Sequence, residues 1–426
     1  MRETELSRRR FLELSGALAA AGVTAPVWLR VSEAAALDPG VRAVGGRKLL
    51  VLLLQGGNDG LNTVVPYTSS DYYRRRPTLA LNPGGVLKLA GSTEFGLHPS
   101  LKTVHDLYGK GQVAIVQGVG YDDPNLSHFD SMDIWQTASP TRAVGSGWLG
   151  RWLDVTPEEG RPIRAAAIGN QLPTLLVGGT ASGVAIPSLN GFRFYDGIDT
   201  TAKGSLTETE AYRLHQAFLT CVSSKPEDPA AAAYVSAARK AVAAVRSVNA
   251  MSDPTKAKAP ATLADQVAMA VTLLSSNLGI EIAFVSEGSF DHHAGQLPAH
   301  AKLLTSVDDA VARFMQATAA TGHGNDYLLM TMSEFGRRPE ENGSNGTDHG
   351  TAAPLFAIGP GVKGGLHGQQ PKLAASALDE NKNLVRAVEL REVFATVIEK
   401  WLGRADAKDV LKYSAKDGIH PIAFLR

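Results

Sequence analysis

Cysteine is almost absent from this chain, which contains only Cys221 among its 426 residues. A single cysteine cannot form an intramolecular disulfide, so the sequence excludes a domain held together by disulfides. Cys221 stands in the helical pattern "AYRLHQAFLTCVSS". A small buried residue is the commoner role for cysteine in such a pattern, so the sequence does not favour a reactive thiol.

An excess of charge of one sign is also lacking. Lysine plus arginine and aspartate plus glutamate each number 42. Because there is no overall basic field, the sequence does not favour nucleic acid as a partner. The composition, 44% hydrophobic and 20% charged, is that of an ordinary globular protein with one large domain or two smaller ones.

A long hydrophobic run is missing as well, so no stretch predicts a stable membrane span. The short Ala/Gly-rich run near the amino terminus follows a twin arginine in "SRRRFLELSGALAAAGVTAP", in the register Arg8–Arg9 or Arg9–Arg10. This pattern resembles a twin-arginine export signal, and the alternative is a disordered basic terminus. We predict that residues 1–36 are a signal peptide, that the twin-arginine export machinery is a partner, and that the location is periplasmic or secreted.

Continuous apolar runs alternate with helical patterns along the rest of the chain. "RKLLVLLLQGGNDG" and "QVAIVQGVG" are typical of strands buried on both faces, as in a parallel sheet. The alternation predicts one α/β domain over residues 45–426, with a mostly parallel sheet and helices on both faces. Three Ala-rich helical patterns between residues 206 and 277 predict an inserted helical cap.

Polar residues follow several of these strands, where ligands bind in sheets of this kind. Asp59 follows the first strand, although aspartate beside glycine is also a turn former. Ser127 begins a helix after the second strand, and a helix N-cap is the plain alternative to a nucleophile there. His128 beside it is interpreted as an exposed helix residue and not as a ligand.

Two later strands end in denser clusters. "EIAFVSEGSF" leads into Asp291 and His293, and "DYLLM" leads into Glu334, Arg337 and His349. Carboxylates and imidazoles are the usual ligands of zinc and related divalent metals. An arginine in this position is either part of a solvated loop or a group that pairs with a phosphate or sulfate.

Together these strand ends supply the components of metal-assisted ester hydrolysis. A serine at a helix N-terminus lies in a field that stabilises an alkoxide or an approaching oxyanion. We therefore assign Ser127 and Arg337 as candidate catalytic residues. The candidate metal ligands are Asp59, Asp291, His293, Glu334 and His349.

The motifs resemble a known family. "SRRRFL", "GGNDGLNT", "SHFDSMDIWQTA", "GSGWLGRWL", "FDHHAGQ", "SEFGRRPEENGSNGTDHG" and "REVFATVIEKWLG" occur in order along nearly the whole chain. They resemble the exported bacterial proteins called the domain of unknown function 1501 family. That family is similar in fold to the alkaline phosphatase and sulfatase superfamily.

The resemblance implies a role for each matching residue. Glu334 and Phe335 stand where active phosphatases have an aspartate followed by a histidine, so one histidine ligand is missing. The sequence "SHFDS" also lacks the C/S-x-P-x-R setting of sulfatases. The remaining matches are Asp59 to the first metal carboxylate, Ser127 to the nucleophile, Asp291 and His293 to the ligands of a second metal, and His349 to the late histidine ligand.

Two functions are therefore carried forward. The first is an exported hydrolase that uses a divalent metal, such as zinc or calcium, on small anionic phosphate or sulfate esters. The second is a catalytically inactive scaffold that retains the fold and binds a partner protein encoded nearby. The retained Asp291, His293 and His349 favour the hydrolase, whereas Phe335 favours the scaffold.

Overall fold

The computed structural model describes residues 46–157, 161, 163–189, 259–370 and 372–426, together with residues 223, 235 and 248. The predicted signal peptide, residues 1–36, lies outside the described residues, as does most of the predicted insertion. Within the described part of the chain, no helix combines the length and the hydropathy needed to cross a membrane.

The described elements form a nine-stranded sheet with helices around it and a small separate sheet of three strands. The strands are β1 (Lys48–Leu54), β2 (Val64–Val65), β3 (Leu87–Lys88), β4 (Gly96–Leu97), β5 (Val113–Gly120), β6 (Ala165–Ile168), β7 (Val184–Ile186), β8 (Ile282–Glu287), β9 (Tyr327–Met332), β10 (Ala353–Ile358), β11 (Gly365–Gly368) and β12 (Val388–Glu389). The helices are α1 (Gly60–Thr63), α2 (Ser70–Arg75), α3 (Lys102–Gly109), α4 (His128–Thr137), α5 (Trp148–Val155), α6 (Leu263–Leu274), α7 (Gln296–Ala320), α8 (Leu390–Thr396), a π-helical turn (Val397–Leu402) and α9 (Ala407–Leu411).

The large sheet has the order β11-β5-β10-β9-β1-β8-β6-β7, and β12 pairs with β5. All the pairings of this sheet are parallel except those of β10, which runs antiparallel to both β5 and β9. The carboxyl ends of β1, β5, β8 and β9 therefore share one edge, and the chain enters β10 from that same edge. This topology brings five chain segments to the same edge: those that follow β1, β5, β8 and β9, and the one that precedes β10.

Strand β1 lies at the centre of the sheet and is buried along its whole length. Its alternate residues belong to two different apolar clusters, because successive side chains point to opposite faces of a strand. Helices α4, α5 and α8 pack in one cluster, and α3, α6 and α7 pack in the other. The expected α/β fold, with a mostly parallel sheet and helices on both faces, is confirmed.

Helix α6 lies in the described part of the predicted cap over residues 206–277, which stays a prediction for the rest. It begins with a capping box between Thr262 and Asp265. Its apolar side, including Val267 and Val271, packs in the same cluster as Leu304 of α7. This end of the predicted insertion is thus part of the helical layer on the sheet, and residues 206–222 and 249–258 lie outside the described residues.

Candidate metal centre

The carboxylate of Asp291 is the centre of the candidate site. Asp291 lies in the loop that follows β8. A hydrogen bond of 2.9 Å from Phe290 N to Gln55 O joins this loop to the end of β1. Asp291 Oδ1 is 3.1 Å from His349 Nε2 and 3.0 Å from His293 Nε2. On the other oxygen, Oδ2 is 3.4 Å from His128 Nε2.

The electrostatic environment keeps Asp291 ionised. Burial by itself would raise the pKa of this carboxyl, but the hydrogen bond and the charge of Arg337 outweigh burial and hold the pKa well below its usual range. A carboxylate that stays ionised at neutral pH is a suitable ligand for a divalent cation.

His349 reaches the site because it directly precedes the segment that enters β10. Its Nδ1 is 2.7 Å from the carbonyl oxygen of Leu126. A carbonyl oxygen only accepts hydrogen bonds, so Nδ1 carries the proton and Nε2 presents a lone pair toward Asp291. Burial lowers the pKa of His349 below its ordinary value, which favours the neutral ring that a metal ion requires.

His293 lies at the open side of the site. Its Nδ1 is 3.2 Å from Asp348 Oδ1, and its Nε2 is 3.0 Å from His349 Nε2. The side chain is 45% exposed, compared with 20% for His349. Two ring nitrogens this close need a proton or a cation between them, because two lone pairs would repel each other.

His128 lies among the potential metal ligands and is half-buried, whereas the sequence interpretation placed it on an exposed helix surface. Among the described residues, His128, Asp291 and His349 form a group whose ligand atoms all lie within 4.8 Å of one another, as a metal site requires. His128 is the first residue of α4, which follows β5. The rule that site residues follow the buried strands already pointed to this position, but the exposed-helix interpretation was preferred.

Glu334 follows β9 and lies on the far side of His128. Its side chain is fully buried. Its Oε1 is 2.9 Å from His128 Nδ1 and accepts a hydrogen bond from Gly56 N at 2.7 Å. The group that can hold a metal ion does not include Glu334, in contrast to the prediction that it is a ligand.

Asp59 is not a ligand of this centre, and its assignment as one is corrected. Its buried carboxylate forms an ion pair with the buried Arg76, whose Nη1 is 2.6 Å from Asp59 Oδ2. Gln296 Nε2 donates to the same oxygen, and Leu61 N donates to Oδ1 at 3.2 Å. Burial alone raises the pKa of Asp59, but the charge and hydrogen bond of Arg76 outweigh it and lower the pKa. The guanidinium of Arg76 is thus the cation that pairs with this carboxylate.

The guanidinium of Arg337 donates to protein acceptors, so the contacts give no support to the prediction that it pairs with a phosphate or sulfate. The side chain is buried, and Nη2 donates to Asp291 Oδ1 at 2.5 Å. Nε and Nη1 donate to Gly57 O at 2.8 Å and to Thr347 O at 2.7 Å. With these donors committed, Arg337 holds Asp291 and three loops in place.

Ser127 occupies the N-cap position of α4, yet its hydroxyl does not cap the helix. Its backbone N donates to Asn125 Oδ1 at 2.8 Å, and its hydroxyl makes no hydrogen bond with another described residue. Its neighbours on either side, Leu126 and His128, both contact the site through the Leu126 carbonyl and the His128 ring. Ser127 thus lies next in the chain to two groups of the site, and its hydroxyl has no hydrogen-bond partner among the described residues.

Residues 113–403 match the family whose description is "Protein of unknown function (DUF1501)", which is more than half of the chain. The chain belongs to the DUF1501 family. A comparison with curated proteins gives no match.

Several solved structures are distantly similar to this DUF1501 chain. Alkaline phosphatase from the Antarctic bacterium TAB5 shares 13% identity at a TM-score of 0.34, over 74% of this chain and 92% of that chain. Lipoteichoic acid synthase LtaP from Listeria monocytogenes shares 10% identity at a TM-score of 0.37, over 90% and 80% of the two chains. A protein in the alkaline phosphatase superfamily from Vibrio parahaemolyticus shares 10% at 0.31, over 86% and 72%. Because these identities and TM-scores are low, the chemistry of the site is derived from the contacts of its own residues.

The donor set of the DUF1501 chain fits one divalent ion. Imidazole nitrogens and one carboxylate converge, which is the ligand chemistry of zinc and similar metals. A second ion beside Asp59 does not fit, because Arg76, Gln296 and Leu61 already donate to both oxygens. The ring of Phe335 packs 4.5 Å from that of His349 and 4.9 Å from that of His128.

Proposed function

We propose that this protein is a hydrolase of small phosphate or sulfate esters that depends on one divalent metal ion. The observation that carries the proposal is the convergence of His128, Asp291 and His349, whose first member directly follows Ser127, a serine whose hydroxyl makes no hydrogen bond with another described residue. The nucleophile is Ser127, and the ligands are His128, Asp291 and His349, with His293 at the open side of the site.

The arrangement supports nucleophilic catalysis by Ser127. Its oxygen attacks the phosphorus or sulfur atom, a bond to the leaving alcohol oxygen breaks, and the hydroxyl proton is lost to solvent as the alcohol takes one up. Water then cleaves the seryl ester and releases the inorganic anion. A bound divalent ion supplies charge stabilisation and lowers the pKa of a hydroxyl near it.

Helix α4 adds a second source of positive potential for an anionic substrate. It is ten residues long, and its N-terminus lies at Ser127 and His128. The unsatisfied N–H groups of a helix N-terminus attract anions. Because Arg337 is committed to internal contacts, the anion is held by the metal and this helix end in the proposal.

Export and a protein partner belong to the same proposal. The twin arginine within residues 8–10 supports export through the twin-arginine route to the periplasm or beyond. A partner protein encoded nearby is part of the alternative function, a scaffold without catalysis. The ring of Phe335 against two candidate ligands is the observation that favours this alternative.

The test is hydrolysis of p-nitrophenyl phosphate and p-nitrophenyl sulfate by zinc-loaded protein. We expect Ser127→Ala to abolish turnover while retaining the metal, and His349→Ala to lose both. Ser275→Ala is the matched control. Ser275 is exposed at the end of α6, and the next strand, β8, begins at the edge of the sheet opposite to the candidate site. Turnover that survives in Ser127→Ala would overturn the nucleophile assignment. Bound metal without turnover in the wild type would favour the scaffold.

A further inference from the structure

The imidazole of His128 lies between two carboxylates from different strands. Its Nδ1 is 2.9 Å from Glu334 Oε1, and its Nε2 is 3.4 Å from Asp291 Oδ2. The two nitrogens of an imidazole point to opposite sides of the ring. One side of His128 therefore faces Glu334, and the other faces the candidate metal centre.

The contact with Glu334 decides which nitrogen of His128 carries the proton. Glu334 Oε1 is fixed by the backbone, because it accepts a hydrogen bond from Gly56 N at 2.7 Å at the end of β1. Both nitrogens of His128 face carboxylate oxygens, which only accept hydrogen bonds, but Glu334 Oε1 at 2.9 Å is within hydrogen-bond range and nearer than Asp291 Oδ2 at 3.4 Å. The proton of a neutral His128 is therefore on Nδ1. The lone pair is then on Nε2, the atom that faces Asp291.

The two other histidines of the site show the same arrangement. His349 Nδ1 contacts the carbonyl oxygen of Leu126 at 2.7 Å, and His293 Nδ1 contacts Asp348 at 3.2 Å. In each case an acceptor outside the cluster holds Nδ1, and Nε2 points toward Asp291. Glu334 does for His128 what the Leu126 carbonyl does for His349.

We infer that Glu334 is a positioning residue for His128 and is not a metal ligand. This inference rests on the proposed function, since it assigns a role around the same metal ion. Acceptors that hold the second nitrogen of a ligating histidine orient the ring and raise its basicity, and their loss weakens metal binding by roughly 10- to 100-fold. The competing assignment is a direct bond from the second oxygen, Oε2, which is buried without a hydrogen-bond partner among the described residues.

Zinc titration of the purified full chain separates the two assignments. The variants are Glu334→Gln, Glu334→Ala and His349→Ala. Glu340→Gln is the matched control, because Glu340 is 48% exposed and pairs with Arg75 on the surface. Thermal unfolding of each variant establishes that it is folded. If Glu334→Ala does not fold, the isosteric Glu334→Gln decides.

We expect the wild type, Glu334→Gln and Glu340→Gln to bind one zinc ion each, with Kd raised about 10-fold in Glu334→Gln alone. His349→Ala is expected to lose stoichiometric binding. Loss of stoichiometric zinc in Glu334→Gln, as in His349→Ala, would make Glu334 a ligand. Equal Kd values for Glu334→Gln and Glu340→Gln would remove the positioning role.

A second measurement is independent of zinc and so separates this inference from the proposed function. The 15N chemical shifts of the His128 side chain report which nitrogen is protonated. We expect the Nδ1–H tautomer in the wild type and the loss of this preference in Glu334→Ala. If the wild type binds no zinc, the proposed function fails, while an Nε2–H tautomer in the wild type would overturn the role of Glu334.

Discussion

The guanidinium of Arg337 holds the carboxylate of Asp291, with Nη2 2.5 Å from Oδ1. The same side chain donates to the carbonyl oxygens of Gly57 and Thr347. One buried cation thus joins the segments that follow β1, β8 and β9. The position of the central carboxylate of the candidate metal centre depends on this single residue.

We predict that Arg337→Lys loses both stability and metal affinity. A lysine is a compact charge that cannot reproduce the planar set of guanidinium donors, so buried carbonyl oxygens lose their partners. Each such loss costs roughly 1 to 3 kcal/mol, and we expect a decrease of about 3 kcal/mol in the free energy of unfolding. Urea unfolding and zinc titration measure the two effects. Arg338→Lys, one residue away, is the control, and equal behaviour of the two variants would contradict the prediction.

A second prediction concerns Asp59. We expect Asp59→Asn to retain one metal ion per chain, because both oxygens of Asp59 are occupied by internal donors. The variant should nevertheless lose about 3 kcal/mol of unfolding free energy at pH 7, since it leaves the buried Arg76 without its counter-ion. Elemental analysis and urea unfolding measure these outcomes. A variant without metal would restore Asp59 as a ligand.

The pH dependence of this effect has a definite sign. Although burial opposes it, Arg76 lowers the pKa of Asp59 in the folded protein. As pH falls through about 4, the unfolded chain takes up the proton first. The stabilisation by this ion pair is therefore present above about pH 4 and is lost below it, so wild type and Asp59→Asn should converge in acid. A difference that stays constant down to pH 3 would contradict the ion-pair explanation.

A third prediction concerns His300, which is buried in α7. Its Nε2 is 3.0 Å from Asn58 Oδ1. Burial lowers the pKa of His300 to about 3. The unfolded chain binds this proton near pH 6.5, so the contribution of His300 to stability is present above pH 6.5 and is lost progressively below it. One such group contributes about 1.4 kcal/mol of lost stability per pH unit.

His300→Gln should therefore flatten the decrease in unfolding free energy between pH 6.5 and pH 4.5. Urea unfolding at three pH values in this range measures the slope. His420→Gln, in which the exchanged residue is exposed, is the control and should keep the wild-type slope. An unchanged slope in His300→Gln would show that this histidine does not contribute to acid sensitivity.

Much of the architecture was predictable from local patterns. The runs that became β1, β5, β8 and β9 are mostly apolar and do not alternate between apolar and polar residues, which is typical of strands covered on both faces. In parallel strands the carboxyl ends share an edge, so residues after different strands were expected to meet. This reasoning predicts that Asp291, His293 and His349 lie together, and the structure has them in contact.

The partners of individual charges were not predictable in this way. Arg76 lies 17 positions from Asp59 and pairs with it only because α2 folds back against α1. The antiparallel direction of β10, which delivers His349 from the correct edge, also has no local signal. His128 was misjudged because the pattern of α4 does not reveal which way its first residue turns.

The sequence by itself determined which residue types stand at the ends of the buried strands. Continuous apolar runs set the strands, and their common direction sets the edge at which their carboxyl ends meet. Tertiary structure alone decided which carboxylates stay available for a metal ion. Asp59 and Asp291 look alike in sequence, yet Arg76 and Leu61 N donate to the two oxygens of one, and three histidines surround the other. The difference arises because the energy of a charge depends on the groups within a few ångströms of it. The packing of segments that are distant in sequence decides which groups lie that close.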